Sequence, residues 1–213
     1  MGDVTRSPTT EAAATSAPTS TAAASSSGSA ATLPPSTTVP VFTEDQLKAA
    51  LLTVDDLPTG WAGQAPSNPN GEGFCGQGTI DSQVKPAAKS TTQFVKGKNV
   101  PQLYEELLSY PDDGASKAFD FADEQAQSCA TFTLGGVDAE IAQLSVPPLG
   151  DTTSAYRLTL SNAGVTAIVD LTFVRKGCVI IYMAYADLSP DTNALVSFTK
   201  QAYDKAAATL GLT

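Results

Sequence analysis

The chain has 213 residues, with 12 Lys and Arg against 22 Asp and Glu, a formal charge of −10 at pH 7, and no histidine. An acidic surface repels phosphate backbones and anionic headgroups, which argues against nucleic-acid binding and against direct binding to a membrane surface. Without histidine the usual general base, the Ser-His and Cys-His nucleophile pairs and most zinc or haem ligation are missing, so no metal or other cofactor is expected.

From Thr5 to Pro40 the chain is almost entirely Ser, Thr, Ala and Pro, with only Arg6 and Glu11 charged and nothing larger than Leu33 or Val39 to bury. Ordering a residue costs roughly 1–2 kcal/mol, and such a stretch has no core side chains to offset it. Residues 1–40 are therefore expected to form a disordered tether. Ser/Thr/Pro stalks of this kind lift a folded domain away from a membrane or wall, and their hydroxyls are candidate O-glycosylation sites. No run approaches the ~18 apolar residues that a spanning helix needs. Bacterial lipoproteins carry an acylated cysteine directly before a stretch like Gly2-Asp3-Val4. A signal sequence and a lipobox cysteine are thus expected ahead of this chain, with membrane contact only through that lipid.

Residues 41–213 suit a single domain. Thr43-Glu44-Asp45-Gln46 has the form of a capping box, followed by Leu47, Ala50 and Leu51 on one helical face. Thr53 to Pro58 caps a further turn, and Trp61, the only tryptophan, follows as a core anchor. Pro66 to Gly78 reads as loop, Gln83 to Val95 as one long or two short strands interrupted by Pro86, and Gln102 to Tyr110 as another strand. Ala115, Ala118, Phe119, Ala122, Ala126 and Cys129 repeat at the 3–4 spacing of a buried stripe, which predicts a helix from Asp112 or Asp113 to about Cys129.

Strands are then expected at Thr131–Leu134, Asp138–Ser145, Ser154–Leu160, Val165–Arg175 and Cys178–Ala186. The last two are apolar on both faces, which places them at the centre of the sheet. Ser189-Pro190 starts a closing helix that runs to about Leu210. Helix, strands, helix, antiparallel meander and helix describe an α+β domain in which an antiparallel β-sheet packs against helices.

Three pairs of adjacent acids stand out: Asp55-Asp56, Glu105-Glu106 and Asp112-Asp113. Neighbouring side chains point in different directions on a strand or helix, so none is a natural catalytic dyad, and caps, turns and solvated faces account for them. No enzyme is expected. Lys85, Lys89, Lys96 and Lys98 read as the guard of a solvated edge strand. Cys75, Cys129 and Cys178 match no zinc spacing, and in an oxidising compartment they imply one disulfide and one leftover thiol.

Several pieces, taken in order, resemble the PknH-like extracellular sensor domain of actinobacterial lipoproteins and receptor kinases. They are the run from Leu51 to Trp61, the alanine-rich helix ending in Cys129, and the Leu149-Gly150-Asp151 loop. Ala155-Tyr156-Arg157, the Val174-Arg175-Lys176-Gly177 hairpin and the closing helix complete the series. The resemblance implies a twisted antiparallel sheet with helices against one side, a cleft for ligand capture, and export to the cell envelope. The family carries a second, late disulfide, and here no cysteine follows Cys178.

Within that frame Cys75 and Cys129 are expected to form the disulfide, because the buried stripe turns the Cys129 sulfur toward the domain body, while Cys178 is a buried, inert thiol. Trp61, Tyr156, Tyr182 and Tyr185 are the candidates for the cleft. The expected function is that of a lipid-anchored sensor-like or ligand-binding domain whose partner is a small ligand or an envelope protein. An accessory subunit of a membrane assembly is the alternative, and an apolar outward face on Val165–Ala186 would favour it.

Removal of residues up to about Pro40 by limited proteolysis should leave the melting temperature of the remaining domain unchanged. A clear drop in melting temperature would mean that the segment docks on the domain.

Overall fold

The computed structural model describes residues 41–66 and 73–213. The expected tether, 1–40, and part of the Pro66–Gly78 loop lie outside the described residues. Four helices, two short 3-10 turns and eight strands follow one another among the described residues. Helix α1 spans Glu44–Ala50, capped by Thr43: the Gln46 amide donates to its hydroxyl, and the Thr43 amide donates to the Gln46 side chain at 2.9 Å. A 3-10 turn, Val54–Asp56, leads to β1, Trp61–Gln64. After a second turn at Phe74–Gly76 come the short α2, Ile80–Gln83, then β2, Ala88–Lys96, and β3, Gln102–Ser109.

Helix α3 is Gly114–Ser128. A meander of β4, Thr131–Leu134, β5, Val137–Gln143, β6, Thr152–Asn162, β7, Val165–Lys176, and β8, Val179–Asp187, precedes α4, Thr192–Leu210.

All eight strands join one antiparallel sheet in the order β1-β2-β3-β8-β7-β6-β5-β4. The two doubly apolar strands, β7 and β8, occupy its centre as the sequence predicts. Since β3 and β4 are separated by four strands, their connection must cross about 24 Å at ~4.8 Å per strand. A helix of 15 residues, the length of α3, is about 22 Å long at 1.5 Å per residue. Its alanine stripe lets it lie flat on the strands that it crosses.

The helices cover both faces, not one. Side chains on β8 alternate, with Val179, Ile181, Met183 and Tyr185 in one core and Ile180 in the other, flanked by Tyr182 and Ala184. The first core is filled from above by Leu47 and Ala50 of α1 and by Leu195, Phe198, Ala202 and Ala206 of α4. The second is filled by Ala115, Ala118, Phe119, Ala122 and Ala126 of α3. Burial on both sides leaves no outward apolar face on Asp170–Val174 and Val179–Met183, whereas Val165 and Ala167 at the start of β7 are exposed.

Several expectations shift locally. Helix α4 begins at Thr192, because the Asp191 carboxylate accepts from the Asn193 amide at 2.9 Å and takes the cap from Ser189. Strand β2 is not an edge, but β1 pairs only with Gln93–Lys96 and leaves its first half open. Lys89 lies on that open half, paired with Asp81 at 2.5 Å and Glu106 at 3.8 Å. Asp56 does cap a turn, accepting from the Thr53 amide at 2.7 Å. Glu105 and Glu106 are neither turn nor solvated face: they point to opposite sides of β3, Glu105 wholly buried and Glu106 largely so.

Two ties close the loops. Asp151 accepts from the Gly177 amide at 2.7 Å and pairs with Arg175 and Lys176, while its own amide donates to the Arg175 carbonyl at 2.8 Å. Gly150 has a φ of +61°, and a Cβ there would meet the Arg175 oxygen at 2.5 Å, so only glycine fits. The second tie is the Cys75–Cys129 disulfide, which fastens the Phe74–Gly76 turn to the end of α3. Cys178 is a buried thiol, and burial pushes its pKa up against an opposing hydrogen bond with Ser109.

The disulfide closes a loop long enough to contribute about 4 kcal/mol in the chain-entropy model. Cys75→Ser with Cys129→Ser should therefore lower the unfolding free energy in urea by roughly 2–4 kcal/mol. A Cys178→Ala variant should retain the bridge in non-reducing peptide maps.

Candidate functional site

The four aromatic cleft candidates are not brought together. Trp61 and Tyr185 lie on the α1/α4 face, where both pack on Phe198, with ring centroids 5.6 Å and 6.0 Å away. Tyr156 and Tyr182 lie on the α3 face. Tyr156 is 1% exposed, and its hydroxyl donates to Asp123 of α3. Tyr182 stacks on Phe173 at 4.9 Å and meets Tyr104 edge-on at 5.8 Å. Phe74 meets Phe173 at 6.5 Å and Phe132 at 6.2 Å, so five rings form a continuous run beneath the disulfide-fastened turn. Each candidate is spent on packing, and the sheet that separates the two pairs prevents them from lining one cleft.

A concavity of ligand size lies elsewhere, on the α4 face at the far end of the sheet. It holds about 420 Å³ and is lined by β4, β5 and β6. Strand alternation builds it: Ala139 and Ile141 of β5 turn into the α3 core with Phe132 and Leu134 of β4 beside them, so Thr131, Thr133, Asp138 and Glu140 turn the other way. Register aligns these with β6 in two rungs, Thr131–Glu140–Thr159 and Thr133–Asp138–Ser161. Four hydroxyls and two carboxylates thus share one shelf. Helix α4 packs on β7 and β8 and leaves the shelf open.

The next rung fixes where the helix stops. Asp170 of β7 is fully buried and receives the Arg157 guanidinium in a two-point contact at 2.6 Å and 2.7 Å. Thr192, the first residue of α4, donates its hydroxyl to the same carboxylate at 3.1 Å. This clamp anchors the helix N-terminus at the border of the shelf and commits the Arg157 charge to Asp170. Neither Asp138 nor Glu140 makes an ion pair or side-chain hydrogen bond among the described residues.

Two further acids titrate unusually. Glu105 Oε2 accepts from the Leu52 amide at 2.8 Å, whereas its Oε1 has no partner among the described residues. Burial pushes its pKa up to about 8, against the opposing pull of the Leu52 amide and Lys205. Burial likewise raises Glu106 to about 7, with Lys89 opposing. They are not a catalytic pair, because the sheet lies between them. No group of three His, Cys, Asp or Glu side chains among the described residues could hold a metal ion, and no described helix is long and apolar enough to cross a membrane.

The six shelf residues were missed in the sequence because each strand alone reads as an ordinary amphipathic strand. The available signal was that the outward positions nearest the β4–β5 and β6–β7 turns hold only Thr, Ser, Asp and Glu.

An eight-stranded antiparallel sheet clad on both sides by helices defines the class of the domain. No family model matches the sequence, and no curated protein matches it. Among solved structures, the chain is similar to the extracellular domain of PknH from Mycobacterium tuberculosis, at a TM-score of 0.57 and 13% identity, over 81% of this chain and 99% of that one. At that identity the likeness establishes a shared fold.

Glu105 binds its proton more tightly in the folded state, about 8 against a usual 4.5. Its contribution to stability is therefore complete below about pH 4.5 and is lost as pH rises through about 8. Glu105→Gln stays neutral and keeps an acceptor for the Leu52 amide. It should melt higher than the parent at pH 9, with the gap closing by pH 4.5; an equal gap at both would refute the buried acid.

Proposed function

We propose that this chain is a distant member of the PknH-like sensor domains, held outside the cytoplasm by a lipid anchor, and that it binds a ligand without transforming it. The observation that carries this reading is the open polar shelf on a fold shared with an extracellular domain. The Cys75–Cys129 bridge supports an oxidising compartment. A non-catalytic role is supported by the separation of Glu105 from Glu106 and by the absence of histidine.

The accessory-subunit reading has less support. Large apolar side chains exposed among the described residues are Val41, Val54, Val100, Val165 and Leu188, the last two at one end of the β7–β8 pair. A pair of exposed apolar side chains is too small for a protein-docking patch.

Two measurements on the protein isolated from its native envelope test the proposal. Metabolic labelling with a radioactive fatty acid should mark the envelope fraction, and native mass spectrometry should detect a small molecule on the folded chain. An unlabelled cytosolic protein would refute the anchor. A ligand-free chain recovered with a stoichiometric membrane protein would refute ligand binding.

A further inference from the structure

We propose that the β4–β6 shelf is a carbohydrate site, reading neutral hydroxylated chains through hydrogen bonds. The inference rests on the ligand-binding function proposed above and names the ligand class.

The donor set selects the chemistry. A carboxylate accepts from two adjacent hydroxyls at once, and its charge roughly doubles the strength of each bond. Threonine and serine hydroxyls both donate and accept, as sugar hydroxyls do. On the shelf these groups form the two rungs Thr131–Glu140–Thr159 and Thr133–Asp138–Ser161. Asp138 and Glu140 are two residues apart on one strand, hence about 6.5–7 Å apart along the chain, so a run of linked sugar rings can meet both. The concavity of about 420 Å³ falls within the range of small-ligand sites, roughly 300–1,000 Å³.

The shelf carboxylates face no cation among the described residues, since Arg157, one rung away, is committed to Asp170. With no Lys or Arg in its lining, the shelf repels phosphorylated and sulfated ligands. The Phe132 ring takes part in the run on the opposite face, so no aromatic platform serves a sugar here. Binding through hydrogen bonds alone should be weak, with Kd on the order of 1 mM.

The test is a ¹H–¹⁵N titration of the full chain with maltotetraose, mannotetraose and chitotetraose, each to about 10 mM, which is well above that Kd. At least one should move the amides of Thr131–Leu134, Val137–Gln143 and Thr159–Ser161. Asp138→Asn and Glu140→Gln should each weaken that sugar about tenfold, the loss expected of one charge-assisted contact, while the rest of the spectrum stays unchanged. The proposal is overturned if none of the three moves these amides, or if the shifts map to another surface. It is equally overturned if calcium chloride moves them and no sugar does. Should native mass spectrometry find a ligand that binds elsewhere, the carbohydrate assignment falls and the sensor reading stands.

Discussion

The pairing of β3 with β8 is the constraint on which the rest of the molecule depends. Eight residues of β3, Gln102–Ser109, match Val179–Ala186 across nearly half of the described chain. Among the described residues it is the one strand pairing that joins the β1–β3 block to the β4–β8 meander. Both cores run through it: Leu103 and Leu107 meet Ile181, Met183 and Tyr185 on one face, while Leu108 meets Ile180 on the other. Contacts this distant in sequence carry a large loop-closure cost before they contribute anything. Helix α3 reduces the search, because a rigid element of the right length sets β4 at the far edge and lets the meander return strand by strand to β3.

The same pairing explains why a buried acid is tolerated in mid-sheet. Glu105 sits between Thr92 of β2 and Met183 of β8, beneath the joint of α1 and the 3-10 turn. Protonated, it satisfies the Leu52 amide and introduces no charge into the core. The nearest charged groups that face it, Asp56 and Lys205, are paired with each other at 2.5 Å, which leaves little compensation for an ionised Glu105. The junction of the N-terminal helix with the sheet is therefore built for a neutral carboxyl. Glu106, on the other face and partly exposed, has Lys89 beside it and tolerates ionisation better.

Much of the fold was legible because the meander obeys simple periodicity. Residues at β7 and β8 are apolar at both parities, and that pattern requires burial on both sides, hence a central position. Their own pattern also contradicts the one-sided helix layer implied by the resemblance, since a two-faced apolar strand needs cover on each face. The capping residues Thr43 and Gln46 fixed the start of α1 by a purely local interaction. Strand β1 escaped because four residues that include Gly63 carry no alternation, and only pairing with Gln93–Lys96 makes them a strand. The cleft aromatics failed for a different reason: sequence reveals that a ring is present but not which face it takes, and a one-residue change of parity moves it across the sheet.

The residues that tie the fold together and the residues of the shelf lie in different places. The pieces that carry the resemblance are ties between distant segments. Asp56 of the first piece holds Lys205 of α4; Gly150 and Asp151 hold Arg175 and Gly177; Cys129 holds Cys75; Arg157 holds Asp170 and Thr192. Each constrains the backbone, so a fold can be preserved at 13% identity as long as equivalent ties exist. None of these ties uses the side chains of Thr131, Thr133, Asp138, Glu140, Thr159 or Ser161. Exchanging those six costs the fold little, because they point away from the core and hold nothing else in place. A surface that is rigid in backbone and unconstrained in side chain is free to change its chemistry without changing the fold, and in this domain the shelf has both properties.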